Sequence, residues 1–208
     1  IVSRIQQHKF LLIDTVVSTS ESILSLEKGG KVNILSLKHP GGYRSERIKS
    51  LLSKNVVQVV TNGDEIAIVK SDGSLFSWRK DSKNPITIAA DPEFKIVKVF
   101  PFRRVFVALR ENGSVISWTH KTLNKVEDTV TEHVPFGALK VLGNGVGFAA
   151  LMLDGSVVTW GDSDSGGDSQ SVRSNLKSGV VDVVVSACST GAFAALKDDG
   201  SVVTWGGE

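Results

Sequence analysis

The chain has 208 residues, of which 41% are hydrophobic and 22% are charged, the balance of a globular protein rather than of a disordered one. No apolar run approaches the roughly 20 residues of a membrane-spanning helix, and a single cysteine, Cys188, excludes an internal disulfide. The net charge is +2, but the charges are unevenly distributed along the chain. Residues 1–125 carry 20 Lys and Arg against 11 Asp and Glu, whereas residues 126–208 carry 4 Lys and Arg against 11 Asp and Glu.

Five copies of one short pattern follow one another along the chain: EKGGKVNILSL, KSDGSLFSWRK, RENGSVISWTH, MLDGSVVTWGD and KDDGSVVTWGG. Their aligned glycines are Gly30, Gly73, Gly113, Gly155 and Gly200, spaced by 43, 40, 42 and 45 residues. Five positions after the glycine stands Leu35 in the first copy and then Trp78, Trp118, Trp160 and Trp205. All four tryptophans share one register, so the pattern indicates an internal repeat whose glycines and tryptophans are structural.

Two β-rich runs precede the glycine in every copy. The first reads IDTVVS, VVQVVT, IVKVFP, LKVLGN or VDVVVS, and the second reads SILSL, IAIVK, VFVAL, FAALM or FAALK. Runs of this length and composition favour strands, and the Asp-Gly, Asn-Gly or Gly-Gly pair that follows accepts the positive φ angles of a tight hairpin. A weaker segment after the tryptophan, such as QSVRSNLKS, predicts an irregular fourth strand.

Four short antiparallel strands in about 40 residues are typical of a β-propeller blade. We therefore expect an all-β fold in which residues 1–208 form one propeller domain of about five four-stranded blades. The repeat units are placed at approximately 11–54, 55–94, 95–137, 138–178, and 179–208 plus 1–10. The last unit uses both termini because VSRIQQHKFLLIDTVV aligns with QSVRSNLKSGVVDVVV, and a blade shared by the termini would close the ring without an open sheet edge. The alternative is a fragment of a larger, seven-bladed propeller.

The last two units, GFAALMLDGSVVTWGDSDSGGDSQS and GAFAALKDDGSVVTWGG, resemble the regulator-of-chromosome-condensation (RCC1-like) repeat. In that repeat an apolar pair is followed by a small turn and then by DG-x-V-x-x-WG. The resemblance extends through the units of Gly73 and Gly113, is weakest in the first unit, and covers nearly the whole chain. The family commonly continues WG…GQLG, whereas this chain has WGDSDSGGDS, WRKDSKNP and WTHKTLNK in the three units with a following loop.

The resemblance implies several different functions. Family members exchange nucleotide on the small GTPase Ran, bind chromatin, sense ultraviolet light, inhibit β-lactamases, recognise substrates for ubiquitin ligases or act as bacterial effectors. The exchange factors carry an inserted wedge, for which repeat spacings of at most 45 residues leave little room. Fold shared among such different activities does not select one of them.

Basic residues are concentrated in loops and strand ends of the first three units. The candidate partner-binding residues are Arg79, Lys80, Arg103, Arg104 and Lys121. On one face they would contact a protein partner, or the phosphates of nucleic acid or another anionic surface. The aromatic residues expected of a single-strand binder are not interleaved with them, so nucleic-acid binding would be directed at the backbone.

One segment has part of a calcium-loop spacing. DSDSGGD places Asp162, Asp164 and Asp168 at relative positions 1, 3 and 7. Gly166 at position 5 and Arg173 at position 12 supply no carboxylate, so the sequence favours a solvated loop over a metal site. The four histidines, His8, His39, His120 and His133, have no metal-ligand spacing and are expected at the surface.

The expected function is that of a non-enzymatic scaffold that presents loops to a protein partner and needs no cofactor. The alternatives are a guanine-nucleotide exchange factor or regulator of a Ran-like small GTPase, and a chromatin or anionic-surface binding module. Paired carboxylates, a nucleophile–base spacing and a metal cluster are all missing from the sequence, which argues against an enzyme. The start of the chain lacks a secretory pattern, and a soluble protein of the cytoplasm or nucleus is expected.

Overall fold

The structure is a computed structural model that describes residues 13–36, 45–63, 65–79, 82, 84–89, 93–103, 105–119, 129–186 and 191–207. Its strands form five antiparallel sheets, one for each repeat. The predicted all-β fold class is therefore confirmed. The described residues fall into two compact units, one within Ile1–Ala108 and Trp118–Val130 and the other within Leu109–Ser117 and Thr131–Glu208.

The strands follow the predicted runs closely. Sheet one has the order β1 (Ile13–Ser18), β2 (Ser22–Glu27), β3 (Val32–Ser36). Sheet two has the order β4 (Val56–Thr61), β5 (Glu65–Lys70), β6 (Leu75–Arg79), β7 (Ile86–Ala89). Sheet three has the order β8 (Ile96–Phe102), β9 (Val105–Arg110), β10 (Val115–Thr119), β11 (Thr129–Val134). Sheet four has the order β12 (Ala138–Gly143), β13 (Gly147–Met152), β14 (Val157–Gly161). Sheet five has the order β15 (Val180–Val185), β16 (Ala192–Lys197), β17 (Val202–Gly206).

The fourth strand is present only in some units of the described chain. Sheets two and three contain it as β7 and β11, whereas sheets one, four and five have three strands among the described residues. The prediction of a fourth strand at QSVRSNLKS is wrong, because residues 170–172 of that segment form a 3-10 turn and Leu176 is buried in the core. Residues 1–10, assigned to the fifth unit, lie outside the described residues, so the blade shared by the termini stays a prediction.

A short helix after sheet one was not predicted. Helix α1 (Glu46–Leu52) buries Ile48 and Leu52 in the same apolar cluster as Leu24 and Val56. The two apolar residues stand four positions apart, so they share one face of the helix. Among the described residues no helix has the length and hydropathy of a membrane span.

The repeated glycine builds the hairpin between the second and third strands of each sheet. In repeat two the N–H of Lys70 donates to the carbonyl of Ser74 and the N–H of Gly73 donates to the carbonyl of Lys70, both at 2.9 Å. The same pair of bonds closes the turn in all five repeats. Each aligned glycine has a φ between 75° and 84°, a left-handed conformation that residues with a Cβ rarely adopt.

The same glycine joins each repeat to the next one. Its carbonyl oxygen accepts the N–H of the residue that begins the first strand of the next repeat. The four pairs are Gly30–Val56 at 2.9 Å, Gly73–Ile96 at 3.3 Å, Gly113–Ala138 at 2.9 Å and Gly155–Val180 at 2.9 Å. Packing is so close that an ideal Cβ on any of these four glycines would lie 2.4 to 3.0 Å from an atom of the next repeat.

Trp78, Trp118 and Trp205 are buried in the core, and Trp160 is partly buried. In repeats three to five the tryptophan stacks on a phenylalanine, with ring centroids 5.2 Å apart for Phe106–Trp118, 5.6 Å for Phe148–Trp160 and 5.3 Å for Phe193–Trp205. Trp78 lies opposite Ile66 instead. Stacked aromatic pairs of this kind add stabilisation to the area that they bury.

Candidate interaction surface

Each sheet has two ends with different loops. The turn end carries the glycine turn between the second and third strands. The loop end carries the segment after the third strand and the links between the first and second strands. Among the described residues these links are 19–21, 62–63, 103, 144–146, 186 and 191. Neighbouring loop ends lie side by side in repeats one and two, because the N–H of Ser20 donates to the carbonyl of Gly63 at 3.1 Å.

Two of the predicted partner-binding residues lie at the loop end of the first compact unit. Arg103 is exposed in the link between β8 and β9. Arg79 is half-buried at the end of β6 and lies directly opposite Glu65 on β5. Lys80, Arg104 and Lys121 lie outside the described residues. The structure therefore presents Arg103 to solvent, while Arg79 has an acidic cross-strand neighbour.

Glu65 is the buried acidic group of this end. It is only 7% exposed, and its Oε2 accepts the side-chain amide of Asn62 at 2.9 Å. A buried carboxylate is costly unless it is hydrogen-bonded and compensated by a cation. The position of Arg79 opposite Glu65 on the neighbouring strand predicts that this arginine compensates the buried carboxylate.

The loop end of repeat four is acidic on its outer side. Asp162, Asp164 and Asp168 are exposed around a 3-10 turn, Ser163–Ser165. The Asp168 carboxylate accepts the N–H of Gln170 at 2.8 Å, and Asp164 Oδ1 accepts the Ser163 hydroxyl at 3.3 Å. No group of three His, Cys, Asp or Glu side chains in the described part of the chain is arranged to hold a metal ion. The three aspartates therefore do not converge on a common centre.

The inner side of this loop is packed against repeat five. The carbonyl of Gly166 accepts the indole N–H of Trp205 at 3.0 Å, and an ideal Cβ on Gly166 would lie 2.5 Å from the ring of Phe193. The side-chain amide of Asn144 donates to the carbonyl of Ser165 at 2.8 Å. The loop thus joins repeats four and five, and its acidic outer side is exposed to solvent.

At the turn end, an aspartate organises three of the five turns. Asp72, Asp154 and Asp199 each accept the hydroxyl and the N–H of the serine two residues later, for Asp154 at 2.6 and 2.9 Å. These serine hydrogen bonds hold the pKa of all three carboxyls below its usual value. In repeat three Asn112 takes this place and accepts only the N–H of Ser114, at 2.9 Å.

Two lysines that sequence reasoning missed stabilise loops near the turn end. Lys70 Nζ donates to the carbonyl of Leu51 at 2.7 Å and to that of Lys54. Lys197 Nζ donates to the carbonyls of Asn175 at 2.8 Å and Ser178 at 2.7 Å. Burial lowers the pKa of Lys70. Both lysines stand three residues before the aligned glycine, a shared position that could have identified them.

His133, expected at the surface or in a loop, is half-buried in strand β11. Its ring stacks on Trp160 with centroids 4.8 Å apart, and its Nε2 is hydrogen-bonded to the Ser117 hydroxyl at 2.7 Å. Burial lowers the pKa of His133. The other three histidines lie outside the described residues.

Comparison with known proteins gives structural but no sequence relatives. No family model and no curated protein matches the sequence. Among solved structures, human WBSCR16 has 17% identity and a TM-score of 0.55 over 93% of this chain and 61% of that one. Yeast RCC1 (Prp20) bound to Kap60 has 17% identity and a TM-score of 0.58 over 93% and 56%. Prp20p from Saccharomyces cerevisiae, in a structure whose description includes its binding to Gsp1p and histones, has 17% identity and a TM-score of 0.56 over 93% and 57%.

These similarities establish the fold. This chain spans 56 to 61% of the length of the three proteins. The five repeated sheets and the match over 93% of the chain confirm the predicted β-propeller fold class, with RCC1-like propellers as structural neighbours.

Proposed function

We propose that this chain is a non-enzymatic protein-interaction module that presents the loop end of an RCC1-like propeller to a macromolecular partner. The observation that carries the proposal is the contrast between the two ends of the sheets. The turn-end hydrogen bonds recur in all five repeats, whereas the loop end changes from exposed Arg103 in repeat three to three exposed aspartates in repeat four. A rigid scaffold with variable loops is the usual arrangement of a recognition module.

The structural neighbours support a protein as the partner. Prp20 was solved in complex with Kap60, and a second structure is described together with binding to Gsp1p and histones. For this chain, we place the contact at the loop end where Arg79 and Arg103 lie, and we keep Lys80, Arg104 and Lys121 as candidates from the sequence. A partner that fits this surface carries acidic groups, because complementary charge steers association and suppresses wrong partners.

The test is an affinity capture from lysate with the whole chain, followed by a binding measurement with the captured protein. Reversal of four charges together, Arg79→Glu, Lys80→Glu, Arg103→Glu and Arg104→Glu, should abolish binding. Lys31→Glu, at an exposed position of a turn end, is the control for a change of charge away from this surface. Unchanged affinity of the fourfold variant would refute the placement.

The single variants separate binding from folding. Arg103→Glu should weaken binding and leave the melting temperature close to that of the parent, because Arg103 is exposed. Arg79→Glu places a second carboxylate opposite buried Glu65, so it should also lower the melting temperature. Equal effects of the two variants on stability would contradict the assignment of Arg79 to both roles.

A second candidate function is regulation of a Ran-like small GTPase. The described binding of Prp20p to Gsp1p favours it. It predicts faster release of a fluorescent nucleotide from the GTPase at substoichiometric amounts of this chain. Release at the intrinsic rate, with a chain shown to be folded by circular dichroism, would eliminate exchange activity and leave the interaction module in place.

A third candidate is binding to chromatin or another anionic surface, which the described binding of Prp20p to histones favours. Contact between the basic loop end and DNA phosphates would weaken steeply with salt. Mobility-shift titrations of duplex DNA at two salt concentrations test this directly. An affinity that does not depend on salt, or that survives the fourfold charge reversal, would eliminate phosphate contacts by these residues.

A further inference from the structure

Repeat four differs from the other repeats at its turn end. The residue two positions before the aligned glycine is exposed in every repeat. It is polar in four repeats and apolar only in repeat four, and the five residues are Lys28, Ser71, Glu111, Leu153 and Asp198. Leu153 is 71% exposed, the highest fraction among the large hydrophobic side chains of the described residues. The architecture of the repeat therefore does not require an apolar side chain at this position.

The neighbouring Met152 replaces a lysine that has a structural role in repeats two and five. In those repeats Lys70 and Lys197 donate from Nζ to carbonyls of the segment before the first strand. A methionine side chain has no such donor. Its Cε instead lies 3.7 Å from the place of an ideal Cβ on Gly137, and Leu153 Cδ1 lies 3.9 Å from the same place. Met152 and Leu153 therefore pack on the backbone just before β12.

Phe136 enlarges this apolar surface from the same backbone segment. Its side chain is 69% exposed, whereas the equivalent Phe94 of repeat three is half-buried. Repeats two and five have polar residues at this position, Lys54 and Ser178. We call Phe136, Met152 and Leu153 the turn-end patch. Exposed apolar side chains grouped within a polar rim mark interaction sites on protein surfaces.

Contact between successive repeats does not cover the turn-end patch. Repeat four is joined on both sides, because the N–H of Ala138 donates to Gly113 of repeat three and the carbonyl of Gly155 accepts Val180 of repeat five, both at 2.9 Å. The position of Leu153 is exposed in repeats one to three as well, although each of these is also followed by another repeat. The patch is therefore open to solvent with both neighbouring repeats in place.

Acidic side chains border the turn-end patch. Glu111 is exposed and directly precedes Asn112, whose carbonyl accepts the N–H of Gly137 at 3.0 Å. Asp154 is exposed and directly follows Leu153. Both hydrogen bonds that Asp154 accepts from serine go to Oδ1, so Oδ2 is available to a donor from outside. The patch thus has carboxylates on two sides.

The surrounding part of the chain does not neutralise these carboxylates. Residues 126–208 carry 4 Lys and Arg against 11 Asp and Glu. Two of the four cations are engaged within the protein, since Lys140 forms a salt bridge at 2.7 Å and Lys197 donates to two backbone carbonyls. Asp198 and Asp199 of the next turn are exposed as well. The turn-end patch is therefore an apolar surface in a negatively charged setting.

We propose that the turn-end patch binds a segment of a partner protein in which large apolar side chains stand next to lysine or arginine. The apolar side chains of the segment cover Phe136 and Leu153, and its cations face Glu111 and Asp154. Burial of apolar surface drives such an association, and complementary charge selects basic segments and rejects acidic ones. The patch shares no residue with the loop-end surface of the proposed function, so the two are tested independently.

Selection from random peptides displayed on phage tests the proposal, with the whole parent chain as the target. The comparison target is the double variant Phe136→Ser and Leu153→Ser, which has the serines that repeats five and two carry at these positions. Peptides that combine large apolar residues with lysine or arginine should be enriched on the parent. The double variant should bind the enriched peptides about tenfold more weakly. Val146→Ser, at an exposed apolar position of the loop end of repeat four, is the matched control and should bind like the parent.

A charge variant tests the acidic rim separately. Glu111→Lys should weaken binding of the enriched peptides severalfold at low salt, and by less at high salt because salt screens exposed charges. Asp164→Lys, at an exposed position of the loop end of repeat four, should leave their affinity unchanged. Equal effects of the two charge reversals would contradict the assignment of the rim.

Three results of the selection would overturn the proposal: no enrichment, enrichment of acidic peptides, or equal binding by the parent and the double variant. Self-association of the parent that the double variant loses, measured by sedimentation, would also overturn it, because a second copy of the chain would then be the occupant. Leu153→Asp, which carries the residue that repeat five has at this position, replaces the double variant if circular dichroism shows that the latter has not folded.

Discussion

The carbonyl oxygen of Gly113 accepts the backbone N–H of Ala138 at 2.9 Å, and an ideal Cβ on Gly113 would lie 2.6 Å from that same nitrogen. The hydrogen bond and the missing side chain are parts of one contact, since the bond requires an approach that a Cβ would prevent. The glycine of each turn therefore serves two purposes in repeats one to four. It permits a positive φ, and it admits the backbone of the next repeat.

Substituting alanine at two of these glycines separates the two purposes. Gly113→Ala and Gly200→Ala both place a Cβ at a positive φ, at 76° and 84°, which costs about 1–2 kcal/mol. Only the first also forces repeats three and four apart, because a Cβ on Gly200 meets no atom of the described residues within 4 Å. We expect Gly113→Ala to lower the free energy of unfolding in urea by clearly more than Gly200→Ala. Equal losses of unfolding free energy would mean that the contact between repeats three and four accommodates a methyl group at no cost.

The turn of repeat three should gain stability from a carboxylate. The hydroxyl of Ser114 is buried without a partner in the described structure, whereas the equivalent serine hydroxyls at 74, 156 and 201 donate to an aspartate. Asn112→Asp replaces the amide oxygen with a carboxylate oxygen, a stronger acceptor for this hydroxyl, and we expect a gain of about 1 kcal/mol at pH 7.

The gain from Asn112→Asp should disappear in acid. The serine hydrogen bonds that lower the pKa of Asp154 would act on the new carboxyl in the same way. A group whose pKa is lowered by folding adds stability above its unfolded pKa, near 4, and loses that contribution as the pH falls through the folded value. Melting temperatures of the parent and the variant between pH 7 and pH 2 should therefore converge. A constant difference across this range would contradict the explanation.

The repeat and its strands could be predicted because the information is local. A glycine turn fixes hairpin register, so residues at equal distances from Asp72 must face each other. This rule pairs Ile66 with Trp78 and also Glu65 with Arg79, as the structure has them. The role of Arg79 opposite a buried acid was therefore within reach of the sequence. It was missed because the basic residues were considered as surface charge rather than by register.

The segments after the tryptophans could not be predicted in the same way. They carry no shared pattern, and their conformation depends on what they pack against. Helix α1 forms where Ile48 and Leu52 enter the core of repeats one and two. Residues 162–168 fold around the backbone of Gly166, whose partners Phe193 and Trp205 belong to the following repeat. Trp205 lies 39 residues after Gly166, and a contact at such a separation leaves no local signal.

The side chain of Gln58 links the first strands of repeats two and three, β4 and β8, by hydrogen bonds. Its amide donates to the carbonyl of Val99 and its Oε1 accepts the N–H of Val99, both at 2.9 Å. Gln58→Leu leaves both backbone groups without these partners, so we expect a loss of about 1–3 kcal/mol in the free energy of unfolding. Hydrogen exchange at the amide of Val99 should become faster. Gln58→Glu retains the acceptor but not the donor, so its free energy of unfolding should lie between that of the parent and that of Gln58→Leu. Unchanged hydrogen exchange at Val99 in both variants would show that these hydrogen bonds contribute nothing to stability.

Trp160 and Trp205 each stack on a phenylalanine but differ in one hydrogen bond, and Trp160 also stacks on His133. The indole N–H of Trp205 donates to the carbonyl of Gly166 at 3.0 Å, whereas the buried indole nitrogen of Trp160 has no acceptor among the described residues. Trp205→Phe and Trp160→Phe remove the same atoms and keep a ring against Phe193 or Phe148. We therefore expect Trp205→Phe to cost about 1 kcal/mol more in the free energy of unfolding, because it also leaves the carbonyl of Gly166 unpaired. Limited proteolysis should then cut within residues 162–168 faster in Trp205→Phe than in Trp160→Phe, and equal rates would mean that the loop is held by its glycine packing and not by the indole.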